Sequence, residues 1–462
     1  MKKPNVLLVY PDQMRYDCTS FAGNPTVKTP GFDYLAQNGA YFKGAFTSFP
    51  LCCPFRASLM TGKYPHKNGM FTNHYPIPLD QVFLPELMNK AGYNTGWFGK
   101  WHLNGGRKFD FVPKEYRLGF EDFVGYSRGH DYLNGIYYRD DDSQPYRSEK
   151  YEPEYQTDHI IDFMSRSINE AKPFMGMVCL GLPHTPLDSA PEHYRSLYSP
   201  DEVELPDTVP PWEVKNAKAY RAKYYGLIAC VDMQLKRLTN WLRENNVLDD
   251  TIFIVVSDHG DMCGEHGLKY KSSYYSASMH VPLIVHYPSL IPHGKVIDQL
   301  VDPSVDLMPT ILEMCGLDIP QCVQGKSIKN ILINGKDPER EEYVYYQLLK
   351  VYDDACRVLD MQEHKKYPER GLRTREYLYV EKCGVPFALY DLIKDPEEKY
   401  NCINNVDYLN VVYGLRMRLK EVMEKTEDDW SIGAVLPPPG YQNHDESIEF
   451  HKKIYASAML ER

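Results

Sequence analysis

Four short apolar runs in this chain end abruptly in residues that can do chemistry, and this constrains the fold more than any bulk property. Residues 6–10 run into Asp12-Gln13, and residues 95–98 into Gly99-Lys100-Trp101-His102. Residues 174–182 run into Pro183-His184-Thr185-Pro186, and residues 252–256 into Ser257-Asp258-His259-Gly260-Asp261. Runs of that length read as buried strands. Helical patterns over 29–38, 84–91, 159–171 and 217–245 lie between them. Strands alternating with helices predict an α/β fold with a mostly parallel sheet. In such a sheet ligands bind beyond the carboxyl ends of the strands. Four polar groups at four strand ends are what one site assembled from distant sequence looks like.

The length of 462 residues predicts one large domain and a smaller one. A net charge of −11 argues against a nucleic-acid partner, since phosphate binding wants a basic face. A mean hydropathy of −0.49 and the lack of a long apolar run argue against a membrane span. Met1-Lys2-Lys3-Pro4 precedes an apolar run too short for a signal peptide, with Asp12 following and no small-residue cleavage site. The expectation is a first core strand and a cytoplasmic chain, periplasmic or secreted if a leader has been removed. The 11 cysteines show no C-x-x-C pair and read as mostly reduced and buried.

The texture changes near residue 345, which predicts domains over 1–345 and 346–462. Residues 372–382 alternate as an exposed strand would. Residues 126–155 are polar and tyrosine-rich, with Asp140-Asp141-Asp142, and read as a long surface insertion. The C-terminal stretch holds Pro437-Pro438-Pro439-Gly440 and then a helical pattern from Glu446. It reads either as an arm onto another subunit of a homo-oligomer or as packing on its own domain.

The densest motif is Cys52-Cys53-Pro54-Phe55-Arg56-Ala57-Ser58-Leu59-Met60-Thr61-Gly62. Pro54 suits the first turn of a helix and Gly62 its end. Cys52 then sits at a helix N-terminus, where free N–H groups favour an anion. A thiol there has a lowered pKa and can act as a nucleophile. A buried structural cysteine is the alternative. Separately, Asp12, Gln13, Asp258 and His259 form two adjacent pairs on two strands, and oxygen-rich clusters suit hard divalent cations.

The pattern C-x-P-x-R-x-x-x-x-T-G resembles the signature of the type I sulfatases of the alkaline phosphatase superfamily, and the resemblance runs from Asn5 to about Asn401. It implies an alkaline-phosphatase-like sheet sandwiched by helices, with a smaller C-terminal antiparallel-sheet subdomain. It implies that a maturase oxidises Cys52 to formylglycine, whose hydrate is the nucleophile. Phe55 departs from the serine usual at that place. The resemblance implies one divalent metal, calcium before magnesium or manganese, held by Asp12, Gln13, Asp258, His259 and the converted Cys52. His259 either ligates or only hydrogen-bonds. Arg56 would steady the nucleophile and the charge of the metal site.

Gly99-Lys100-Trp101-His102 matches the family closely. Lys100 would neutralise a sulfate oxygen, and His102 would take the proton from the second hydroxyl of the hydrate. His184 and Lys271 match the pair at the leaving-group oxygen. Lys269 competes with Lys271, which is preferred by its distance from Asp258. Asn73 and His74 are candidate substrate contacts. The function implied is hydrolysis of a sulfate monoester on a sulfated sugar or small glycan fragment, the partner being a small-molecule or oligosaccharide sulfate ester. Two other readings stand beside it. The Asp-Gln with Asp-His pairing also occurs in phosphonate monoester hydrolases and choline-sulfatase-like enzymes. A non-catalytic protein that captures sulfated ligands would keep the same fold.

Overall fold

The computed structural model describes residues 3–73, 75–133, 135–348 and 368–430. Its larger sheet is built from β1 (Asn5–Asp12), β2 (Ala40–Phe42), β3 (Asn94–Lys100), β4 (Asp122–Tyr126), β5 (Ile136–Arg139), β6 (Asp142–Arg147), β7 (Phe174–Pro183), β8 (Thr251–Val256), β9 (Leu283–His286) and β10 (Lys295–Ile297). The spatial order is β10-β2-β9-β8-β1-β7-β3-β4-β5-β6. β1 runs parallel to both β7 and β8, and β3 runs parallel to β7 and β4. The outer strands include antiparallel pairs.

β1, β7 and β8 are buried at every position, which is why their sequences are apolar without alternation. Val6, Leu8 and Tyr10 point to one face, against the helices Cys52–Thr61 and Pro303–Met314. Leu7 and Val9 point to the other, against the helices Glu152–Asn169 and Val214–Glu244. Each such side chain contributes about 1.5–3 kcal/mol by leaving water. The strands that carry the four chemical motifs are adjacent and parallel, in the order β8-β1-β7-β3. Their carboxyl ends therefore meet at one edge of the sheet.

The smaller sheet is an antiparallel meander of β11 (Val344–Leu348), β12 (Glu369–Arg373), β13 (Tyr377–Lys382) and β14 (Val385–Asp391). One face packs Val344, Tyr346, Leu378 and Val380 on Phe46, Phe49 and Met279 of the main body. The other packs Tyr345, Leu372, Tyr379 and Leu389 under the helix Leu409–Thr426. Behind it Asp428 accepts from Arg370 Nε at 2.6 Å and Gln347 Nε2 at 2.8 Å, both buried.

Two expectations change. Residues 372–382 are not one exposed strand but parts of a hairpin, β12 and β13, buried because both faces of the sheet are covered. Residues 126–155 are not a surface insertion throughout. They form the edge hairpin of β5 and β6, start the helix Glu152–Asn169, and send Tyr132 into the core. The proline run and the pattern from Glu446 lie outside the described residues.

Candidate active site

The helix Cys52–Thr61 is buried along its whole length. It ends at Gly62, whose φ of 63° is left-handed and whose N–H bonds Ser58 O. A side chain there would collide with Val323, so the C-terminal glycine is required by both backbone and packing. At the other end Asn73 Oδ1 accepts from the Cys53 N–H at 3.0 Å. Asn73, expected at the substrate, thus satisfies an otherwise unbonded donor of the first helical turn. His74 lies outside the described residues.

Cys52 opens this helix beside the ends of β1 and β8. Its Sγ lies 3.7 Å from Asp12 Oδ1 and 3.3 Å from His259 Nε2. Burial and Asp12 push the thiol up, but Lys100, Lys271 and His259 overcome them and hold it below the ordinary range. The neighbouring Cys53 lies well above that range, because burial and Cys52 dominate. Two adjacent cysteines are therefore chemically unlike.

Asp12 is shared between two sets of partners. Its Oδ2 accepts from Lys100 Nζ at 2.6 Å and from Arg56 Nη2 at 3.1 Å, all three side chains having no solvent exposure. Its Oδ1 faces Cys52 and His259. Burial raises the Asp12 pKa, but the Lys100 ammonium and the Arg56 guanidinium more than offset this, and it stays well below the carboxylate range. Lys100 in turn is held charged to about 12, Asp12 and Cys52 outweighing burial. Arg56 also donates to Lys100 O and Trp101 O at 2.5 and 3.2 Å, tying the helix Cys52–Thr61 to the end of β3.

Asp12, Cys52, Asp258 and His259 offer ligand atoms that all lie within 4.8 Å of one another, and all four residues are buried. Asp258 Oδ2 has no hydrogen-bond partner among the described residues. His259 Nδ1 faces Gly260 O at 2.9 Å, which places its proton there and leaves the Nε2 lone pair facing the carboxylates. Two carboxylates this close in a dry site repel each other unless a cation lies between them. The donor set fits a hard divalent ion. Gln13 is engaged differently: its Oε1 accepts from Lys271 Nζ at 2.8 Å, and its Nε2 donates to Asp261 Oδ2 at 2.5 Å. Gln13 and His102 both hold left-handed backbones, φ 68° and 65°, the kind of strain that collects at functional sites.

Lys271 and His184 meet at 2.7 Å, Nζ to Nε2. His184 Nδ1 donates to Thr185 O at 2.7 Å, so Nε2 is the acceptor and Lys271 carries the proton. Burial and Lys271 hold His184 neutral, well below the usual range. Lys269 instead pairs with Glu213 at 3.0 Å. His102 is buried, and neither ring nitrogen has a partner among the described residues. Burial, Lys100 and Arg56 keep it neutral too.

Sequence reasoning missed His130. Its ring stacks on His184 at 3.8 Å with an interplanar angle of 1°. Its Nε2 lies 3.4 Å from Lys100 Nζ, and its Nδ1 lies 2.9 Å from Tyr132 Oη. Tyr132 donates to Gly181 O or His184 O, at 2.9 and 3.0 Å. The available signal was a fifth strand, β4, ending in Ser127-Arg128-Gly129-His130.

A family model described as Sulfatase matches residues 4–317. The chain belongs to the sulfatase family. It is by that membership a sulfuric ester hydrolase. A second model, N-sulphoglucosamine sulphohydrolase, C-terminal, matches residues 264–425. The ulvan-active sulfatase of Formosa agariphila is 28% identical, over 93% of this chain and 82% of its own. The N-acetylglucosamine-6-O-sulfatase of Bacteroides thetaiotaomicron is 25% identical, over 93% of this chain and 88% of its own. The crystal structure of the sulfatase-family protein yidJ from Bacteroides fragilis superposes with a TM-score of 0.85 at 26% identity, covering 94% of this chain and 98% of its own. The phosphonate monoester hydrolase SpPMH from Silicibacter pomeroyi shares the fold, with a TM-score of 0.78 at 24% identity over 92% and 96% of the two chains.

The Glu152 N–H bonds the carbonyl of Tyr132, the residue that meets His130, at 3.0 Å. Its buried carboxyl accepts from Tyr126 Oη at 2.8 Å and Gln156 Nε2 at 2.9 Å. Burial raises its pKa from 4.5 to about 7. The folded state thus binds a proton that the unfolded state has released, so stability falls as pH rises between these values. The loss reaches about 3 kcal/mol above pH 7. Glu152→Gln should flatten that fall, read as urea midpoints between pH 5 and 8; an unchanged pH slope would contradict the assignment.

Proposed function

We propose that this sulfatase cleaves a sulfate monoester on a sugar or small glycan fragment, with Cys52 converted to formylglycine as its nucleophile. The observation that carries the reading is the setting of Cys52. It begins a buried helix with Asp12 and His259 against its sulfur, and Lys100 Nζ lies 3.9 Å from that sulfur. In the unconverted chain Sγ stands in for the reacting oxygen, and a maturase is the partner that makes the conversion. The hydrated aldehyde supplies two hydroxyls on one carbon, one to bond sulfur and one to release sulfate, which serine or cysteine cannot offer. Asp12, Asp258, His259 and the converted side chain would hold a divalent cation, calcium in first place, with Gln13 as a further carbonyl donor. That ion would supply charge stabilisation at the sulfate oxygens.

The chain's own side chains divide the remaining work. Lys100, held charged by Asp12, offsets the charge of a non-bridging oxygen. Arg56 is spent on Asp12 and the end of β3, and so positions the nucleophile. His102, neutral and unpaired at both nitrogens among the described residues, is suited to accept a proton from a hydroxyl. Lys271 donates toward neutral His184, so the pair presents one proton to the leaving oxygen. His130 holds the His184 ring by stacking on it. The names of the relatives from Formosa and Bacteroides support a sulfated sugar as substrate.

Metal-loaded protein produced with a maturase should turn over 4-nitrophenyl sulfate far faster than a 4-nitrophenyl phosphonate monoester. The opposite preference would make it a phosphonate hydrolase. Cleavage of neither would restore the ligand-capturing protein. Lys271→Met should lower kcat/KM about 10²–10⁴-fold on a sugar sulfate. It should cost far less on 4-nitrophenyl sulfate, whose leaving group needs no proton. Equal losses on both would remove Lys271 from the acid role.

A further inference from the structure

Asp261 is fully buried, and a buried carboxylate is tolerated only where cations or hydrogen-bond donors surround it. Among the described residues no ion pair neutralises it. Arg15 donates at 3.0 Å to its backbone carbonyl, not to its carboxylate, and pairs with Asp17 and Glu265. Three donors hold the side chain instead. The Cys263 N–H bonds Oδ1 at 2.8 Å, while Gln13 Nε2 and the Tyr220 hydroxyl bond Oδ2 at 2.5 and 2.7 Å. A carboxylate accepts on both oxygens and donates on neither. An amide in its place would turn an NH2 onto the Cys263 N–H or the Gln13 NH2.

The consequence falls on Gln13, which is also fully buried. With its NH2 bound to Asp261, the other end of the amide faces Lys271, and Oε1 accepts from Lys271 Nζ at 2.8 Å. Turned the other way, Gln13 would aim an NH2 at an ammonium. Lys271 in turn meets His184 Nε2 at 2.7 Å. The backbone joins the same two residues. The Met262 N–H bonds Tyr270 O at 2.6 Å and closes a loop, with Asp261 at one foot and Lys271 at the other. Tyr270 and Ser272, on either side of Lys271, are both left-handed, φ 65° and 64°.

We infer that Asp261 is a positioning residue: it sets the direction of the Gln13 amide and through it holds the Lys271 ammonium against His184. The inference rests on the sulfatase reading above and adds the residue that aims its acid pair.

The test uses full-length, converted, metal-loaded enzyme and two esters. Phenyl sulfate has a leaving group that needs a proton, and 4-nitrophenyl sulfate has one that does not. Asp261→Asn should turn the Gln13 amide and lower kcat/KM on phenyl sulfate, relative to that on 4-nitrophenyl sulfate, about tenfold or more. The double variant Asp261→Asn/Gln13→Glu reverses the hydrogen bond, an amide NH2 now donating to a carboxylate that still faces Lys271. It should bring the ratio most of the way back. A role in folding alone would lower both esters together and would not be mended by a second substitution. An unchanged ratio for Asp261→Asn would overturn the inference, and so would a double variant no better than the single one. Should Asp261→Asn not fold, the same ratio is read on Asp261→Ser, which offers Gln13 no carboxylate, with the same expectation. Wild-type enzyme that cleaves neither ester, or a Lys271→Met variant with an unchanged ratio, would instead sink the underlying reading.

Discussion

The buried carboxylate of Asp12 is the point on which the site turns. One oxygen is clamped by Lys100 and Arg56, neither of which touches solvent. The other is left facing Cys52 and His259. Three charges are buried at once, which is tolerable only because each has a partner in hydrogen-bonding range. Removing one partner of such a set typically costs about 3–5 kcal/mol, because an uncompensated charge remains. The clamp does more than balance charge. It locks the end of β1 to the end of β3, and Arg56 brings the helix Cys52–Thr61 to both.

The sheet makes this possible. β8, β1, β7 and β3 are neighbours and run the same way. Each therefore delivers its polar end to one edge, and no long loop is needed to bring Asp12, Lys100, His184 and Asp258 together. Around the cluster the histidines are sorted by environment. His102 and His184 are kept neutral by burial and by nearby cations. His259 lies among carboxylates and is held above the usual range despite its burial, with Asp258 the chief cause. Identical side chains are thus tuned apart by their surroundings, and the carboxylates that favour a positive charge at His259 are those of the candidate cation cluster.

Much of this was legible in the sequence, for a physical reason. Strands buried on both faces must be apolar throughout, so their polar ends stand out. The spacing from Asp258 favours Lys271 over Lys269, and in the fold Lys271 meets His184 while Lys269 pairs with Glu213. What could not be read was contact across elements. His130 sits in a polar, tyrosine-rich stretch that resembles a surface loop, and only the folded chain lays its ring on His184. Asn73, read as a candidate substrate contact, also bonds the first turn of the helix Cys52–Thr61 through its Oδ1, a role its sequence position does not announce. The hairpin of β12 and β13 read as one exposed strand because the helix that covers it lies some thirty residues further on, at Leu409–Thr426.

The central claim is that Cys52 is the residue this charged cage exists to serve, and that it works as formylglycine. Mass spectrometry of the tryptic peptide carrying Cys52, from protein produced with an active maturase, tests it most directly. The account predicts a peptide lighter by about 18 Da than the unmodified thiol form, with Cys53 unchanged. A Cys52 peptide of unaltered mass would contradict the account, and would turn attention to Phe55 and to the thiol itself as nucleophile.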